Sequence, residues 1–310
     1  MKDIVEAALE HAAEAEDAAN TDASDAAEFG PPDFAFVGCG EDGARRATET
    51  ISSDRRSDAT AFDLTTRTIR ASAPESDADD LTADLAVVTA HLTDAEIIDR
   101  TAAAVDCLPD EATTLALVSV PETPPDTDRF STAFSVLADA ADTTVPVELS
   151  RLREDYDDEK PVGALADGLV TELALDVFEM AAKPLSAPVD LTALYDLLDT
   201  GGVALAYRGR GTTEDAAADL LDHAVGHRLC DGDPATAGGG VGFCRFGDEM
   251  LLSDYDELFD EVTARFAPPE ADSDRWLDGG NVAVGFAEEC RLTLLLTGID
   301  PSSVAFLDRE

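Results

Sequence analysis

One glycine-rich turn in the sequence has the residue types and spacing of a phosphate-binding loop. It reads Gly38-Cys39-Gly40-Glu41-Asp42-Gly43 and follows the apolar run Phe34–Val37. Glycines lack a Cβ, so backbone N–H groups at such a turn can approach a phosphate closely. Glu41 and Asp42 oppose this chemistry because they place two carboxylates beside the same spot. Since the G-x-G-x-x-G spacing alone is a weak signal, the turn provides candidate nucleotide-binding residues and no more: Gly38, Cys39, Gly40 and Gly43.

Histidines and cysteines do not assemble into a recognisable metal or nucleophile site. His223 and His227 lie four residues apart, which puts both rings on one face of a helix, but no third ligand accompanies them. A solvated helix face is therefore favoured over a metal site. The remaining histidines, His11 and His91, have no partner that indicates catalysis. The cysteines contain no C-x-x-C pair and are expected to be small core residues: Cys39, Cys107, Cys230, Cys244 and Cys290.

The charge of the chain restricts the partners it can have. It has 310 residues, of which 67 are Asp or Glu and 21 are Lys or Arg, giving a net charge of −46. Such a surface repels nucleic-acid phosphates and anionic lipid headgroups, so we expect no nucleic-acid partner and no direct membrane contact. Many carboxylates with few lysines suit a halophilic protein in molar salt, where the Debye length falls to about 3 Å and self-repulsion is screened. This explanation is favoured over a specific acidic function.

No segment of the chain has the character of a membrane span or a secretion signal. No apolar run approaches the ~20 residues that cross a bilayer, and the acidic N-terminus lacks the basic-then-apolar order of a signal peptide. We therefore expect a cytoplasmic protein. Residues 1–32 are rich in Ala, Glu and Asp and are expected to form an acidic N-terminal arm that begins with a short helix.

Residues 33–160 alternate between apolar, strand-like runs and amphipathic helical segments. This alternation predicts a parallel sheet covered by helices on both faces. The polar segment Thr65–Asp80 is predicted to be a loop. The predicted strands are Phe34–Val37, Ala59–Phe62, Leu85–Thr89, Thr114–Val120 and Thr144–Val147, and the predicted helices are Ala44–Ser53, Asp94–Cys107 and Asp128–Ala141.

A long central helix is predicted over Pro161–Lys183, and residues 161–188 comprise this helix and the loop after it. Its apolar residues form a face wide enough to be covered from two directions. Pro161 suits the first helical position because it needs no bonded N–H there, and Pro184 ends the helix. The helix would be roughly 34 Å long, enough to join two halves of a molecule.

Residues 189–310 follow a different pattern, with four strands and two helices that predict a separate α+β domain. The two helices are expected on one face of a mixed four-stranded sheet. The last two strands, Asn281–Phe286 and Arg291–Thr297, are predicted to pair as a hairpin because few residues separate them. The other predicted elements are the strands Gly202–Tyr207 and Gly238–Phe246 and the helices Thr213–Leu229 and Asp254–Phe266.

The order of these parts and several short strings resemble the FtsZ/tubulin family over most of the chain. Phe36–Gly40 is similar to the family's first strand and glycine turn, Asp84–Ala90 to the strand before its signature loop, and Arg291–Ile299 to its closing strand. The resemblance implies an α/β fold with a parallel Rossmann-like GTPase-type domain, a long central helix and a smaller α+β domain with a mixed four-stranded sheet. Two further segments that resemble the family are Val118–Pro121 and Val177–Leu198.

The family binds GTP with Mg, and the resemblance implies what this chain would use and what it lacks. In place of the glycine-rich signature loop the chain reads Ala90-His91-Leu92-Thr93-Asp94-Ala95-Glu96, in which every residue has a side chain and two are acidic. The Asn-Asp pair that receives the guanine corresponds to Leu149-Ser150, and leucine cannot hydrogen-bond a base. Asp167 matches the remaining base-contacting carboxylate, with a polar residue on an exposed helix face as the alternative.

Hydrolysis in this family is completed by an Asn-x-Asp-x-x-Asp loop that one subunit brings to the nucleotide of the next. Here the loop reads Pro188-Val189-Asp190-Leu191-Thr192-Ala193, so only the middle carboxylate remains. Removing a water-positioning group typically lowers the rate by about 10² to 10⁴. Asp190 is therefore a vestigial catalytic residue or, with equal weight, a helix N-cap for Leu191–Leu198.

These losses lead to one hypothesis and two alternatives. The first is a pseudo-GTPase without a cofactor that acts as a binding or capping subunit of FtsZ-type filaments in cell division. The second is an active FtsZ-like protein that binds and hydrolyses GTP with Mg at Gly38, Gly40, Gly43 and Asp167 and assembles with itself. The third is an adaptor that keeps the fold and uses the acidic arm. The expected partners are FtsZ-like subunits or further copies of this chain.

Overall fold

A computed structural model describes most of the chain from residue 33 onward. The predicted arm at residues 1–32, the predicted helix Ala44–Ser53 and the predicted strand Ala59–Phe62 lie outside the described residues. The described residues are 33–40, 43, 64–69, 82–124, 126–155, 161–182, 185–212, 217–268, 275–283, 286 and 288–307.

Parallel strands form the first half of the sheet in the order β2-β1-β3-β4-β5. Strands β1, β3, β4 and β5 are buried almost throughout, as parallel strands covered by helices on both faces must be. The parallel sheet that the sequence predicts is therefore confirmed. The strands are β1 (Phe34–Cys39), β2 (Leu64–Ile69), β3 (Leu85–His91), β4 (Thr113–Val120) and β5 (Thr143–Glu148).

The second half of the sheet is mixed and continues from the first. Strand β5 meets β6 in parallel at Thr144 and Val203, and the described strands together form one nine-stranded sheet, β2-β1-β3-β4-β5-β6-β9-β7-β8. The division of the chain at residue 188 into two domains stays a prediction. The remaining strands are β6 (Val203–Thr212), β7 (Gly239–Phe246), β8 (Trp276–Val282) and β9 (Glu289–Ile299).

Helices cover both faces of this sheet. One face carries α1 and α2 beside the first strands and α6 and α7 beside the last strands, while α3, α4 and α5 cover the other. Side chains along a strand point alternately to the two faces of the sheet. In β1, Ala35 and Val37 pack in the core on one face, and Phe34 and Phe36 pack in the core on the other. The helices are α1 (Ala95–Val105), α2 (Thr127–Ala140), α3 (Leu149–Asp155), α4 (Val162–Ala182), α5 (Leu191–Leu198), α6 (Ala217–Gly226) and α7 (Leu252–Phe266).

Strand β2 shows that the prediction of a loop over Thr65–Asp80 is wrong for its first residues. Leu64–Ile69 pairs with β1 in parallel, with Phe34 opposite Leu64 and Cys39 opposite Ile69. The segment reads LTTRTI, in which β-branched residues favour a strand although four of its six residues are polar. Because β2 is the outermost strand of the sheet, it needs no continuous apolar run, and the apolar pattern that identified the other strands is absent.

The predicted hairpin between the last two strands is also wrong. Strand β8 pairs in parallel with β7, whereas β9 lies between β6 and β7 and is antiparallel to both. Burial explains why β9 has the central position and β8 the edge position. Strand β9 is apolar and buried along most of its length, so it belongs in the centre of the sheet. Strand β8 reads WLDGGNV and is partly exposed, so it fits the edge.

A buried ion-pair network joins α4 to the last strands of the sheet. Asp176, on α4, is 2% exposed and accepts hydrogen bonds from Arg208 Nη1 at 2.6 Å, Arg245 Nε at 2.9 Å and Thr293 Oγ1 at 2.7 Å. Arg208 also pairs with Glu172, and Arg245 with Glu179. The two arginines on β6 and β7 therefore hold the central helix against the sheet through three of its carboxylates.

Candidate functional site

The strand order places a crevice at the carboxyl ends of β1 and β3. The chain order reverses there, because β2 lies on one side of β1 and β3 on the other. Open α/β sheets bind their ligands outside the carboxyl ends of the strands at such a switch point. Gly38 pairs with Thr89, so the turn at Gly40 lies beside the end of β3 at His91. The predicted residues Gly38, Cys39 and Gly40 therefore lie at this switch point.

Backbone packing accounts for the glycines of this turn. Gly40 has a φ of +73°, a left-handed conformation that favours glycine. A Cβ on Gly43 would lie 2.4 Å from the backbone oxygen of Thr89, so this close approach also requires glycine. Cys39 is 5% exposed, and burial raises the pKa of its thiol to about 12. The thiol is therefore protonated at neutral pH and is a poor nucleophile.

The segment that should form an open phosphate loop is instead drawn into the sheet and the core. Strand β3 continues to His91, which pairs with Ser119 of β4, and His91 Nδ1 lies 2.8 Å from Ser119 Oγ. The next residue, Leu92, is fully buried and donates its backbone N–H to the oxygen of Ser119 at 2.8 Å. The backbone N–H of Leu92 is therefore not available to a phosphate.

A carboxylate of the chain itself occupies the N-terminus of α1. Asp94 is the N-cap residue, and its Oδ1 accepts a hydrogen bond from the backbone N–H of Ile97 at 3.1 Å. The free N–H groups and the helix dipole make this position the usual place for a phosphate. Here the negative charge comes from Asp94, which satisfies one of those N–H groups internally. The residues at this position therefore fit a triphosphate poorly.

The residues that the family resemblance assigns to the guanine base are likewise packed in the core or bonded to the chain itself. Leu149 begins α3 and is buried in the core. Ser150 Oγ donates to Glu148 Oε2 at 3.2 Å, and Glu148 also accepts a hydrogen bond from the backbone N–H of Asp231 at 2.9 Å. Asp167, on α4, is only 6% exposed. The alternative that Asp167 lies on an exposed helix face is therefore wrong, because α4 is packed on most of its sides.

Asp190 lies at the loop between α4 and α5, and it caps α5. Its Oδ1 accepts a hydrogen bond from the backbone N–H of Ala193 at 3.0 Å, as the N-cap interpretation predicts. The loop is fixed to β8 through two backbone hydrogen bonds of 3.0 Å between Ala187 and Gly280. This loop is therefore ordered by the edge of the sheet.

Exposed apolar side chains lie beside this loop and at the start of α7, and the sequence analysis missed those at α7 and β8. Among the described residues, four of the five exposed large apolar side chains belong to the start of α5, the segment that leads into α7 and the end of β8. We term these four side chains the leucine patch: Leu191 (40% exposed), Leu251 (63%), Leu252 (73%) and Val282 (43%). The available signal was the pair Leu251-Leu252 between acidic segments, at the start of α7.

The patch and the switch point lie at opposite ends of the twisted sheet. Seven steps in the strand order separate β1 from β8. Neighbouring strands rotate by about 20–25°, so these steps accumulate to roughly 140–175°. With this average twist, the carboxyl ends of β1 and β8 would point in nearly opposite directions.

A cavity of about 450 Å³ lies away from the switch point, between β6, the end of α7 and the C-terminal turns. Its floor includes Tyr207 and Phe266, and burial raises the pKa of Tyr207 to about 12. Its charged groups bind one another or the backbone: Arg228 Nε donates to Asp231 at 2.5 Å, and Asp233 accepts from the N–H of Ala235 at 3.0 Å. The cavity therefore holds no residue that the sequence singled out for chemistry.

His223 of α6 and His227, which follows that helix, stack on each other, and the described residues contain neither a cluster of metal ligands nor a membrane-spanning helix. The rings of His223 and His227 stack with centroids 4.0 Å apart, and His227 Nδ1 lies 2.8 Å from the backbone oxygen of His223. Within the described part of the chain, no group of three or more His, Cys, Asp or Glu side chains is placed to hold a metal ion. In that same part, no helix combines the length and the apolar character needed to cross a bilayer.

Comparison with curated proteins identifies archaeal relatives. The cell division protein FtsZ 2 of Halobacterium salinarum is 23% identical over 171 residues, and FtsZ 1 of the same organism is 24% identical over 199 residues. These matches cover 54% and 62% of this chain but 42% and 49% of the relatives, so the chain matches about half the length of each. No protein-family model matches the chain.

Solved structures of the same fold cover nearly the whole chain. A mutant FtsZ of M. jannaschii has a TM-score of 0.73 at 16% identity and covers 93% of this chain and 98% of its own. CetZ2 of Haloferax volcanii, in a GTPγS-bound protofilament, has a TM-score of 0.65 at 16% identity and covers 90% and 97%. Sequence and fold together place the chain in the FtsZ/tubulin superfamily, as a divergent member.

Proposed function

We propose that this chain is a pseudo-GTPase that binds FtsZ-type subunits and caps their filaments during cell division. The observation that carries the proposal is the Asp94 carboxylate at the N-terminus of α1, where a phosphate would otherwise bind. The curated relatives are cell division proteins, and the similar structures include protofilaments of CetZ2 and TubZ. A subunit of this superfamily that cannot hold a nucleotide is suited to regulating filaments.

Electrostatics at the switch point oppose a nucleotide. A triphosphate carries about four negative charges, and bringing it beside the Asp94 carboxylate places like charges within a few ångströms. The chain's net charge of −46 adds a long-range repulsion, which molar salt screens, while the short-range repulsion remains. Replacement of the glycine loop by His91 and buried Leu92 removes the backbone donors that would offset this cost.

The opposite end supports docking on another subunit. The leucine patch exposes large apolar side chains on a strongly acidic chain, and its neighbouring residues Leu251 and Leu252 offer the apolar surface that suits docking of a partner. Asp190 lies next to Leu191 of the patch, on the loop that the superfamily resemblance assigns to the contact with the next subunit's nucleotide. This end would accept a partner's nucleotide-loaded end, whereas the switch-point end would accept none. The chain would then occupy one end of a filament and stop growth there.

Nucleotide binding is tested by equilibrium dialysis of the purified protein against labelled GTP and Mg in molar KCl. CetZ2 of Haloferax volcanii, whose protofilament structure holds GTPγS, serves as the positive control. We expect no saturable binding at micromolar GTP and no phosphate release from this chain. Micromolar binding with turnover would contradict the pseudo-GTPase proposal.

Capping is tested by adding substoichiometric amounts of the protein to filaments of an FtsZ-type partner. We expect shorter filaments by electron microscopy and a lower GTP turnover per partner subunit. Asp190→Arg and Leu252→Asp should abolish both effects because each places a new charge in the contact. Val136→Asp is the matched control, because Val136 is 51% exposed on α2, outside the leucine patch. If Thr93→Arg at the switch-point end abolishes capping and Asp190→Arg does not, the proposed polarity is wrong.

A second candidate function is an active GTPase that assembles with itself, and two observations favour it. Gly40 retains the left-handed conformation of a tight turn, and Asp167 is buried on α4 where the superfamily resemblance places a base-contacting carboxylate. Sedimentation with and without GTP and Mg separates the two functions. Pelleting of this chain alone that depends on GTP would favour the active GTPase.

A further inference from the structure

Two cysteines face each other across neighbouring strands in the second half of the sheet. Cys244 of β7 and Cys290 of β9 place their sulfur atoms 3.3 Å apart, and the two side chains are 0% and 1% exposed. Cys244 is opposite Leu292 and Cys290 is opposite Phe246, so the cysteines are diagonal neighbours on the same face of an antiparallel pair. Neither sulfur is part of a disulfide in this structure.

We propose that Cys244 and Cys290 form an oxidation site that reacts with a low-molecular-weight disulfide and closes an intramolecular disulfide. In the first step, a cysteine thiolate attacks one sulfur of the small disulfide, which forms a mixed disulfide and releases one small thiol. In the second step, the other cysteine attacks the protein sulfur of the mixed disulfide and releases the second small thiol. Two protein thiols are oxidised to one disulfide, and one small disulfide is reduced to two thiols.

The geometry favours the second step. A disulfide bond is about 2.05 Å long, so the sulfurs must approach by about 1 Å from their present separation. The backbone pairing of β7 with β9 already holds the two cysteines in place, and such positioning makes an intramolecular attack fast relative to a second reaction with a small disulfide. The mixed disulfide should therefore be short-lived.

The first step requires the small disulfide to reach a buried thiol, and local opening of the strand ends can admit it. Cys290 is the second residue of β9, and its pairing with Phe246 is the last between β7 and β9. Strand ends open locally at a much lower free energy than the whole domain unfolds. The hydrogen bond with Cys290 and burial raise the pKa of Cys244, which disfavours Cys244 as the thiol that attacks first. Cys290 is thus the attacking residue, and Cys244 resolves the mixed disulfide.

The experiment treats the full chain, in molar KCl, with cystamine, a small cationic disulfide that the acidic surface does not repel. Free thiols are then alkylated and the peptides are mapped by mass spectrometry. The wild type is expected to yield a linked Cys244–Cys290 peptide, while partly exposed Cys107 carries only a mixed disulfide. In Cys244→Ser, the mixed disulfide on Cys290 should accumulate by roughly tenfold or more over the wild type, because nothing resolves it. Cys107→Ser is the control and should still form the linked peptide.

The wild-type peptide map alone decides the proposal if a serine variant fails to fold. Protein that remains folded by circular dichroism, with Cys107 fully modified and both Cys244 and Cys290 recovered as free thiols, would overturn it. Recovery of Cys244 and Cys290 in separate mixed disulfides would overturn it equally. The inference depends on the pairing of β7 with β9 and not on whether the chain caps filaments.

Discussion

Replacing Asp176 with asparagine should destabilise the protein more than most single substitutions do. The carboxylate accepts three hydrogen bonds, of 2.6, 2.9 and 2.7 Å, from Arg208, Arg245 and Thr293. Asparagine has nearly the same size but offers only one carbonyl oxygen, so its amide N–H₂ group would face a donor. Breaking a buried pair by removing one partner costs about 3–5 kcal/mol, since the remaining charges stay buried. We expect a loss in this range for Asp176→Asn.

A surface pair provides the matched control. Arg265 of α7 pairs with Asp222 of α6, and these side chains are 41% and 65% exposed. Exposed pairs are worth about 0–1 kcal/mol, so Asp222→Asn should lower the free energy of unfolding by less than about 1 kcal/mol. Both substitutions remove one negative charge from a helix carboxylate, and they differ in burial and in the number of bonded partners. The difference between them therefore measures what the buried network adds.

Urea unfolding at two fixed KCl concentrations is the suitable assay, because urea leaves the ionic strength unchanged. The cost of Asp176→Asn should be nearly equal at both concentrations, since salt screens a buried pair little. The smaller cost of Asp222→Asn should decline as KCl increases. A loss below about 1 kcal/mol for Asp176→Asn, or one that disappears at high salt, would show that the network does not hold α4 against the sheet.

Three further predictions follow from single contacts. Asp94→Ala should lower the free energy of unfolding by about 1 kcal/mol in urea titrations, because α1 loses its cap. Burial raises the pKa of Asp199, so its carboxyl stabilises the fold when protonated and this contribution is lost as pH rises through the folded-state pKa. Asp199→Asn should therefore gain stability over the wild type as pH rises above about 4. Oxidation of Cys244 and Cys290, 46 residues apart, should raise the free energy of unfolding by about 4 kcal/mol, seen as a higher urea midpoint.

Elements with a strong local signal were predictable from the sequence. Strands β1, β3, β4 and β5 are apolar runs, and α4 begins directly after Pro161. The pairing of β8 and β9 was not predictable in the same way, because short separation along the chain suggests a hairpin but does not determine partners. Burial along the whole strand decided that β9 is central, and this depends on contacts with β6 and β7 that no local pattern contains.

The same distinction applies to the candidate site, where some features are visible in the sequence and others appear only in the folded chain. The absence of glycines over Ala90–Glu96 is visible in the sequence, whereas the capping role of Asp94 appears only once β3 and α1 are in place. The burial of Asp167 and Asp176 was not predicted, although the sequence indicates that α4 can be covered from two directions, because the arginines that pair with Asp176 are distant along the chain. Leu251 and Leu252 would be assigned to a core by hydrophobicity alone, yet they are exposed.

The two ends of the molecule can differ in function because they share no element. The switch point is formed by β1, β3 and α1, whereas the leucine patch belongs to the start of α5, the end of β8 and the start of α7. Substitutions at distant sites without common partners have nearly additive effects on stability. A carboxylate such as Asp94 can therefore replace a bound phosphate without altering the patch. A chain that changes at one end only acquires unequal ends, and unequal ends are what a filament cap requires.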